Sequence, residues 1–338
     1  MKLALFTDGL FDESSAKTAH GILRYGEREV VAVVDVKSAG RLANEVVPYA
    51  RRPVPIVAGV ADAVRLGADT LVIGVAPMGG ALTAGWRAVL LEAIAAGLDL
   101  EAGLHTVLSE DPEIAAAAAA AGVQLRDLRA APPDLSVPSG TRPDVRVVHT
   151  LGSDCAIGKM SVTLELDAIA RARGLRSAFV ATGQTGIAIT GWGIAVDHVI
   201  SDFVNGAAAR LVEEGAKRAD LLFVEGQGAL GHPAYSAVTL GLLHGCRPDA
   251  LILCHRAGAT HNDDYPELPI PPLTELIARC ETAAGWLRPA KVAAIALNTR
   301  GLSDAEARAA IEAAASETGL PAGDPVRFGG DELLDAVL

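Results

Sequence analysis

The chain has few aromatic and few basic residues. Aromatic residues make up 4% of it, and 29 Lys and Arg oppose 41 Asp and Glu, for a formal net charge of -12. Proteins that bind DNA or RNA neutralise backbone phosphates with Lys and Arg, so this charge predicts no nucleic-acid partner. Any anionic ligand therefore requires a local positive pocket.

Cysteine pairs and long apolar runs are also missing. The four cysteines, Cys155, Cys246, Cys254 and Cys280, form no CxxC pair, which argues against a disulfide or zinc framework, and we expect no bound metal. No apolar run reaches the ~18 residues of a membrane helix, and the N-terminus does not resemble a signal peptide. We expect a cytoplasmic protein without a membrane partner.

What is present is the pattern of an α/β protein. The 338 residues suffice for two domains, and half of them are hydrophobic. Short β-branched runs alternate with longer Ala/Leu segments of helical spacing, as in parallel sheets. In the first half we predict strands at 3–6, 30–34, 70–73 and 104–108, and helices at 16–25, 60–66, 86–96 and 114–121. In the second half we predict strands at 145–150, 177–181, 221–225, 250–254 and 292–297, and helices at 159–173, 203–217 and 304–316.

A proline-rich segment, 130–144, interrupts this alternation. Proline ends helices and cannot donate a hydrogen bond within a central strand, so we place a domain boundary there. The predicted domains are a Rossmann-like parallel sheet over residues 1–140 and a P-loop NTPase-like α/β domain over residues 141–338. The first half has no GxGxxG motif, although Leu5–Gly9 and Gly74–Gly80 follow predicted strands and are possible ligand linings.

The strongest motif is a glycine-bounded turn between a strand and a helix. Glycines let backbone N–H groups face an anion, the helix N-terminus adds positive potential, and a lysine reaches the outer phosphates. The turn has one residue more than GxxxxGK[ST], and a methionine stands where a Mg²⁺-binding hydroxyl normally follows the lysine. The alternative is an ordinary turn with a surface lysine. The residues predicted to bind the cofactor are Gly152, Ser153, Asp154, Cys155, Ala156, Ile157, Gly158, Lys159, Met160 and Ser161.

Three residues are candidates for proton transfer. Glu225 ends an apolar strand, where an acid can bind Mg²⁺ through water or act as a general base; the alternative is a solvated carboxylate. His232 follows the same turn and can carry a proton near neutral pH, or can be purely structural. Asp197 can contact an amine or a metal, or can cap a helix.

Further polar residues follow predicted strands, at the edge where open α/β sheets bind ligands. The segment after the strand at 177–181 looks like a substrate or cofactor loop, with a structural turn as the alternative. Arginine is the natural partner of a carboxylate. The residues predicted to bind substrate are Thr182, Gln184, Thr185, Gln227, Tyr235, Ser236, His255 and Arg256.

With these motifs assembled, the chain resembles domain-of-unknown-function family 1611, a bacterial and archaeal P-loop family often labelled epimerase/dehydratase-like. The resemblance rests on the blocks 152–161, 181–186, 225–228, 232–236 and 238–245, with Ser153 where many members have Thr. It implies a Rossmann-like domain followed by a P-loop domain similar to dethiobiotin synthetase. One branch of the family consists of D-glutamate N-acetyltransferases, which implies an acetyl-CoA cofactor.

Two chemistries remain open. In the first, the chain moves acetyl from acetyl-CoA to the amine of D-glutamate or a related acidic amino acid, and the P-loop holds the phosphates of CoA, for which no Mg²⁺ hydroxyl is needed. In the second, it is an ATP-dependent carboxylate-activating ligase or kinase of dethiobiotin synthetase type, with Lys159, Ser161 and Glu225 organising MgATP. A nucleotide-gated scaffold is a third, non-enzymatic alternative. The only other partner we expect is a second copy of the chain, in a homo-oligomer.

Overall fold

A computed structural model describes residues 1–75 and 82–338, so the predicted lining 74–80 lies largely outside the described residues. The chain packs into two compact units. The first comprises Met1–Ala130 and Gln184–Ala195, and the second comprises Ala131–Gly183 and Val196–Leu338. Within the described part, no helix combines the length and apolar character needed to cross a bilayer.

The first unit contains a parallel sheet with the strand order β3-β2-β1-β4-β5-β6 among the described residues. Helices connect successive strands, as parallel pairing requires. This is the Rossmann-like fold that the sequence predicts. Its strands are β1 (Lys2–Phe6), β2 (Glu29–Val34), β3 (Ile56–Val57), β4 (Thr70–Ile73), β5 (Asp99–Ala102) and β6 (Leu125–Asp127). Its helices within Met1–Ala130 are α1 (Lys17–Tyr25), α2 (Ala43–Val46), α3 (Val60–Arg65), α4 (Ala84–Ala95) and α5 (Pro112–Ala121).

The predicted strand at 104–108 is wrong. The strand in this region is β5, Asp99–Ala102, while Leu104 and Leu108 are buried outside it in the hydrophobic core of the unit. The acidic sequence of β5 concealed it, because a buried carboxylate is costly unless it is paired. Here Glu101 is 2% exposed and accepts hydrogen bonds from Arg28 at 2.8 Å and Arg126 at 2.9 Å.

A helix that the sequence did not predict, α7 (Gln184–Thr190), packs with the first unit. The same two arginines hold it: Arg28 donates to the carbonyl of Ala188 at 2.5 Å, and Arg126 donates to that of Gly191 at 2.7 Å. The predicted loop at 181–187 is therefore corrected, because its second half is helical. Glu101 thus anchors both arginines that bind this segment.

The second unit contains a parallel sheet with the order β12-β11-β10-β7-β9-β8 among the described residues. Its strands are β7 (Arg146–Gly152), β8 (Ser177–Val180), β9 (Leu221–Val224), β10 (Ala250–Arg256), β11 (Lys291–Asn298) and β12 (Ala322–Gly323). Its helices are α6 (Lys159–Ala172), α8 (Val204–Ala216), α9 (Ser236–Cys246), α10 (Leu273–Gly285), α11 (Asp304–Thr318), α12 (Pro325–Phe328) and α13 (Asp331–Val337).

Hydrophobic residues fill both faces of this second sheet. Along β10, Ile252 and Cys254 join the core beneath α6 and α13, whereas Leu251 and Leu253 join the core beneath α10. Alternate side chains of a strand point to opposite faces, so a continuous apolar run is what a strand covered on both sides needs. The sheet is thus a rigid base for the loops at its edge.

The order of the strands places β7 in the interior of this sheet. From β7 the chain passes first to β8 and β9 on one side and then to β10 and β11 on the other. The carboxyl end of β7 therefore lies where the direction of winding changes, which is where open α/β sheets bind ligands. The glycine-bounded turn leaves the sheet at this point.

Candidate functional site

The turn forms a cradle of backbone N–H groups between β7 and α6. Ala156 has a φ of 52° and Gly158 a φ of 109°, the left-handed conformation that is typical of anion-binding backbone turns. Gly152 must lack a side chain, because a Cβ there would lie 2.9 Å from the backbone carbonyl oxygen of Asp154. The loop therefore has the local geometry of an anion site, and Met160 and Ser161 form the first turn of the helix behind it.

Lys159 supplies the positive charge of this cradle. Its side chain is 6% exposed, and its Nζ donates to the carbonyl of Asp154 at 2.7 Å, across the loop. Burial lowers the pKa of Lys159, because desolvation penalises the ammonium. A charge in such a poorly solvated place interacts strongly with a phosphate that enters the loop.

Asp154 ties the loop to a distant segment. Its carboxylate accepts from the amide of Cys155 at 2.7 Å, from Nδ2 of Asn262 at 2.6 Å and from the amide of Asp263 at 2.9 Å. Sequence reasoning missed the polar segment 262–265. The signal was available, since this run follows β10 and should lie at the same sheet edge as the turn.

Two predicted substrate residues, His255 and Arg256, are the last two residues of β10. Ser153 pairs with the Nδ1 of His255 at 2.8 Å, and burial lowers the pKa of His255. Arg256 donates with both terminal nitrogens to the carboxylate of Asp263, which raises the pKa of Arg256. The guanidinium of Arg256 thus binds a carboxylate of the protein itself. That carboxylate belongs to Asp263, in the segment that is hydrogen-bonded to Asp154.

Glu225 lies at the end of β9 and is 6% exposed. Its Oε2 accepts from the backbone amides of Thr182 at 2.9 Å and Gly183 at 3.2 Å. Gln227 donates to the carbonyl of Thr182 at 2.6 Å, and the hydroxyl of Thr239 donates to the carbonyl of Gln227 at 2.8 Å. The structure therefore brings Thr182, Glu225 and Gln227 together and fixes the direction of the carboxylate.

His232, which follows the same turn in the chain, is held by contacts with two aromatic rings and a backbone amide. Its ring stacks on Tyr235 with centroids 4.8 Å apart and meets the edge of Tyr265 at 5.4 Å. Its Nδ1 accepts from the amide of Ala234 at 3.2 Å, and its Nε2 lies 3.4 Å from a carboxylate oxygen of Asp264. Ser236 begins α9, and its amide donates to the carbonyl of His232 at 3.0 Å.

Asp154, Cys155 and His232 together offer the ligand types of a zinc site. One ligand atom of each lies within 4.8 Å of the others. Burial raises the pKa of Cys155 to about 11, so a metal ion would have to displace the thiol proton on binding. The backbone amide of Ala234 donates a hydrogen bond to Nδ1 of His232, which puts the proton of the neutral imidazole on Nε2, the nitrogen that would bind a metal.

Asp197, Gln184 and Thr185 complete the predicted set. Asp197 is exposed in a short 3₁₀ helix, Val196–His198, whose first amide donates to the carbonyl of Thr182 at 2.9 Å. Gln184 and Thr185 belong to the first unit, where the hydroxyl of Thr185 pairs with that of Thr18 at 3.0 Å. The predicted substrate loop is therefore divided between the two units.

Two family models match the chain. One describes a P-loop domain of unknown function (DUF1611_C) and matches residues 136–334, and the other describes a Rossmann-like domain of unknown function (DUF1611_N) and matches residues 36–131. The chain belongs to this family. The P-loop match contains both the loop at 152–159 and the polar segment at 262–265.

Known relatives of this DUF1611 protein are similar over most of its length. A protein from Tritonibacter scottomollicae named D-glutamate N-acetyltransferase is 41% identical over 82% of this chain and 83% of its own. A Pseudoalteromonas protein of the same name is 35% identical over 81% and 83%. The crystal structure of a DUF1611 family protein from Anabaena variabilis is 43% identical, with a TM-score of 0.93, and covers 99% of this chain and 98% of its own.

Proposed function

We propose that this protein is an N-acetyltransferase that moves acetyl from acetyl-CoA to the amine of D-glutamate or a related acidic amino acid. The observation that carries this proposal is the 41% identity to a D-glutamate N-acetyltransferase over 82% of the chain. Such extensive similarity spans the Rossmann-like and the P-loop parts, so it supports a shared reaction better than a shared motif would.

In this proposal the cradle at 152–159 holds the phosphates of CoA. CoA contains a 3′-phosphorylated ADP, whose pyrophosphate offers the negative charge that inward-facing amides, a helix N-terminus and a buried ammonium attract. No phosphoryl group is transferred, so the reaction does not need a Mg²⁺-binding hydroxyl after Lys159, where this chain has Met160. The departure from the usual motif therefore supports CoA binding.

Glu225 is the base in this proposal. The amine nitrogen attacks the thioester carbonyl carbon and forms the new C–N bond, the C–S bond breaks, and the CoA thiolate leaves. The proton of the amine passes to Glu225, whose carboxylate the amides of Thr182 and Gly183 already orient. In this proposal the backbone N–H groups of Gln227 and Gly228 donate to the carbonyl oxygen as it gains charge, since that of Gly226 already donates to the hydroxyl of Thr150 at 2.9 Å.

The test combines turnover with binding. The purified protein is incubated with acetyl-CoA and D-glutamate, L-glutamate or D-aspartate, and free CoA is measured with a thiol reagent alongside the acetylated amino acid by mass spectrometry. We expect amine-dependent CoA release. Release of ADP from ATP in place of CoA release would instead establish the carboxylate-activating alternative.

Lys159→Ala tests the assigned role of the cradle. Loss of a charge-assisted hydrogen bond to phosphate should cost about 2–3 kcal/mol of binding free energy. The Kd for CoA, measured by calorimetry, should therefore rise on the order of 30- to 150-fold. Lys217→Ala, which removes an exposed lysine at the end of α8, is the matched control and should bind CoA normally. Unchanged affinity of Lys159→Ala for CoA and for ATP would refute this role.

A further inference from the structure

His232 has a hydrogen-bonding state that its sequence position does not reveal. Its side chain has no exposed surface, and its Nδ1 accepts from the amide of Ala234 at 3.2 Å. A backbone amide can only donate, so Nδ1 must carry a lone pair and the proton of the neutral ring must be on Nε2. The ring is thus a donor at Nε2.

That donor has no hydrogen-bond partner among the described residues. The nearest carboxylate oxygens belong to Asp264, at 3.4 Å, and to Asp154, at 3.9 Å. An unsatisfied buried N–H group is unfavourable, and buried polar groups normally have a partner. A buried N–H donor without an acceptor, close to the loop that follows β7, indicates that a ligand supplies the acceptor.

The surroundings of Nε2 also indicate which acceptor fits. An oxygen of Asp264 already lies closest to it, although that side chain is 63% exposed and can turn into water. The carboxylate of Asp154 is occupied by its three N–H donors. A carbonyl or carboxylate oxygen of a substrate can therefore take the place of Asp264 and make the shorter hydrogen bond.

We propose that His232 is a fixed Nε2–H donor that binds an oxygen of a bound substrate, and that it does not accept the proton of the attacking amine. This proposal rests on the proposed function. Stacking on Tyr235 and the edge of Tyr265 hold the ring so that the donor is preorganised. Proton removal is then the role of Glu225.

Matched variants separate a donor from a base. The amide nitrogen of His232→Gln can reach the position of Nε2, whereas that of His232→Asn reaches only the position of Nδ1, and both lose the ring stacking. We expect His232→Gln to keep about a third or more of wild-type kcat/KM with its acidic pH limb unchanged, and His232→Asn and His232→Ala to fall on the order of 100-fold. A fall in kcat assigns the bond to the reacting carbonyl, and a rise in KM for the amino acid assigns it to a substrate carboxylate.

The proposal is overturned if folded His232→Gln is as inactive as His232→Ala, or if its acidic pH limb disappears. A second measurement does not depend on activity. Long-range ¹H–¹⁵N correlation spectra, with the His232 signals assigned by their loss in His232→Gln, should show a protonated Nε2 and an unprotonated Nδ1. The opposite tautomer refutes the proposal, even for a protein that transfers no acetyl group, whereas lack of turnover in the wild type refutes only the proposed function.

Discussion

His149 provides a quantitative test of the second unit. It lies on β7, three residues before Gly152, with no exposed surface, and its Nδ1 lies 3.2 Å from the carbonyl of Val224. Burial, the largest cause, lowers its pKa from 6.5 to about 4, with the charge of Lys159 acting in the same direction. The folded protein therefore favours the neutral ring, whereas the unfolded chain binds a proton below about pH 6.5.

The sign and size of the effect follow from this difference. The stability contributed by the neutral ring is present above pH 6.5 and is lost as the pH falls through the window from 6.5 to 4. Over this window the unfolded state gains about 2 kcal/mol by pH 5 and about 3 kcal/mol by pH 4 from this histidine alone. Below the folded pKa the loss is complete.

The assay is urea-induced unfolding of the wild type and of His149→Leu between pH 7 and pH 4. Other titrating groups are shared, so the difference between the two free energies of unfolding isolates this histidine. We expect the wild type to lose about 3 kcal/mol relative to His149→Leu, while the exposed-site control His198→Gln follows the wild type. Parallel curves for the wild type and His149→Leu would refute the argument that burial controls this ring.

Two further changes test the packing around each unit's polar groups. Glu101→Gln removes the carboxylate from its arginine partners, including Arg28, so we expect about 2–4 kcal/mol less stability in urea unfolding; a loss below about 0.5 kcal/mol would contradict the role of this cluster. Gly226→Ala places a Cβ 1.8 Å from the carbonyl oxygen of Thr150, so we expect at least about 3 kcal/mol of destabilisation or displacement of the Glu225 turn, whereas Gly231→Ala, which meets open space, should unfold like the wild type.

The sequence by itself determined the local parts of this protein. Alternating apolar runs and Ala/Leu segments predicted most strands and helices, because burial on both faces of a parallel sheet demands that pattern at every strand. The glycine-bounded turn at 152–159 was also predictable, since a left-handed backbone, a helix N-terminus and the following Lys159 are encoded by adjacent residues. The family of the chain follows from such blocks.

Only the tertiary structure decided how distant residues complete the site. Asp154 meets Asn262 across 108 residues, and the segment Gln184–Ala195 belongs to the first unit although the chain before and after it belongs to the second. The tautomer of His232 depends on one hydrogen bond from the amide of Ala234, and two aromatic rings hold the imidazole in place. Local patterns predict backbone conformation, but hydrogen bonding in a buried site depends on which segments the folded sheet brings to one edge, and sequence spacing does not specify that.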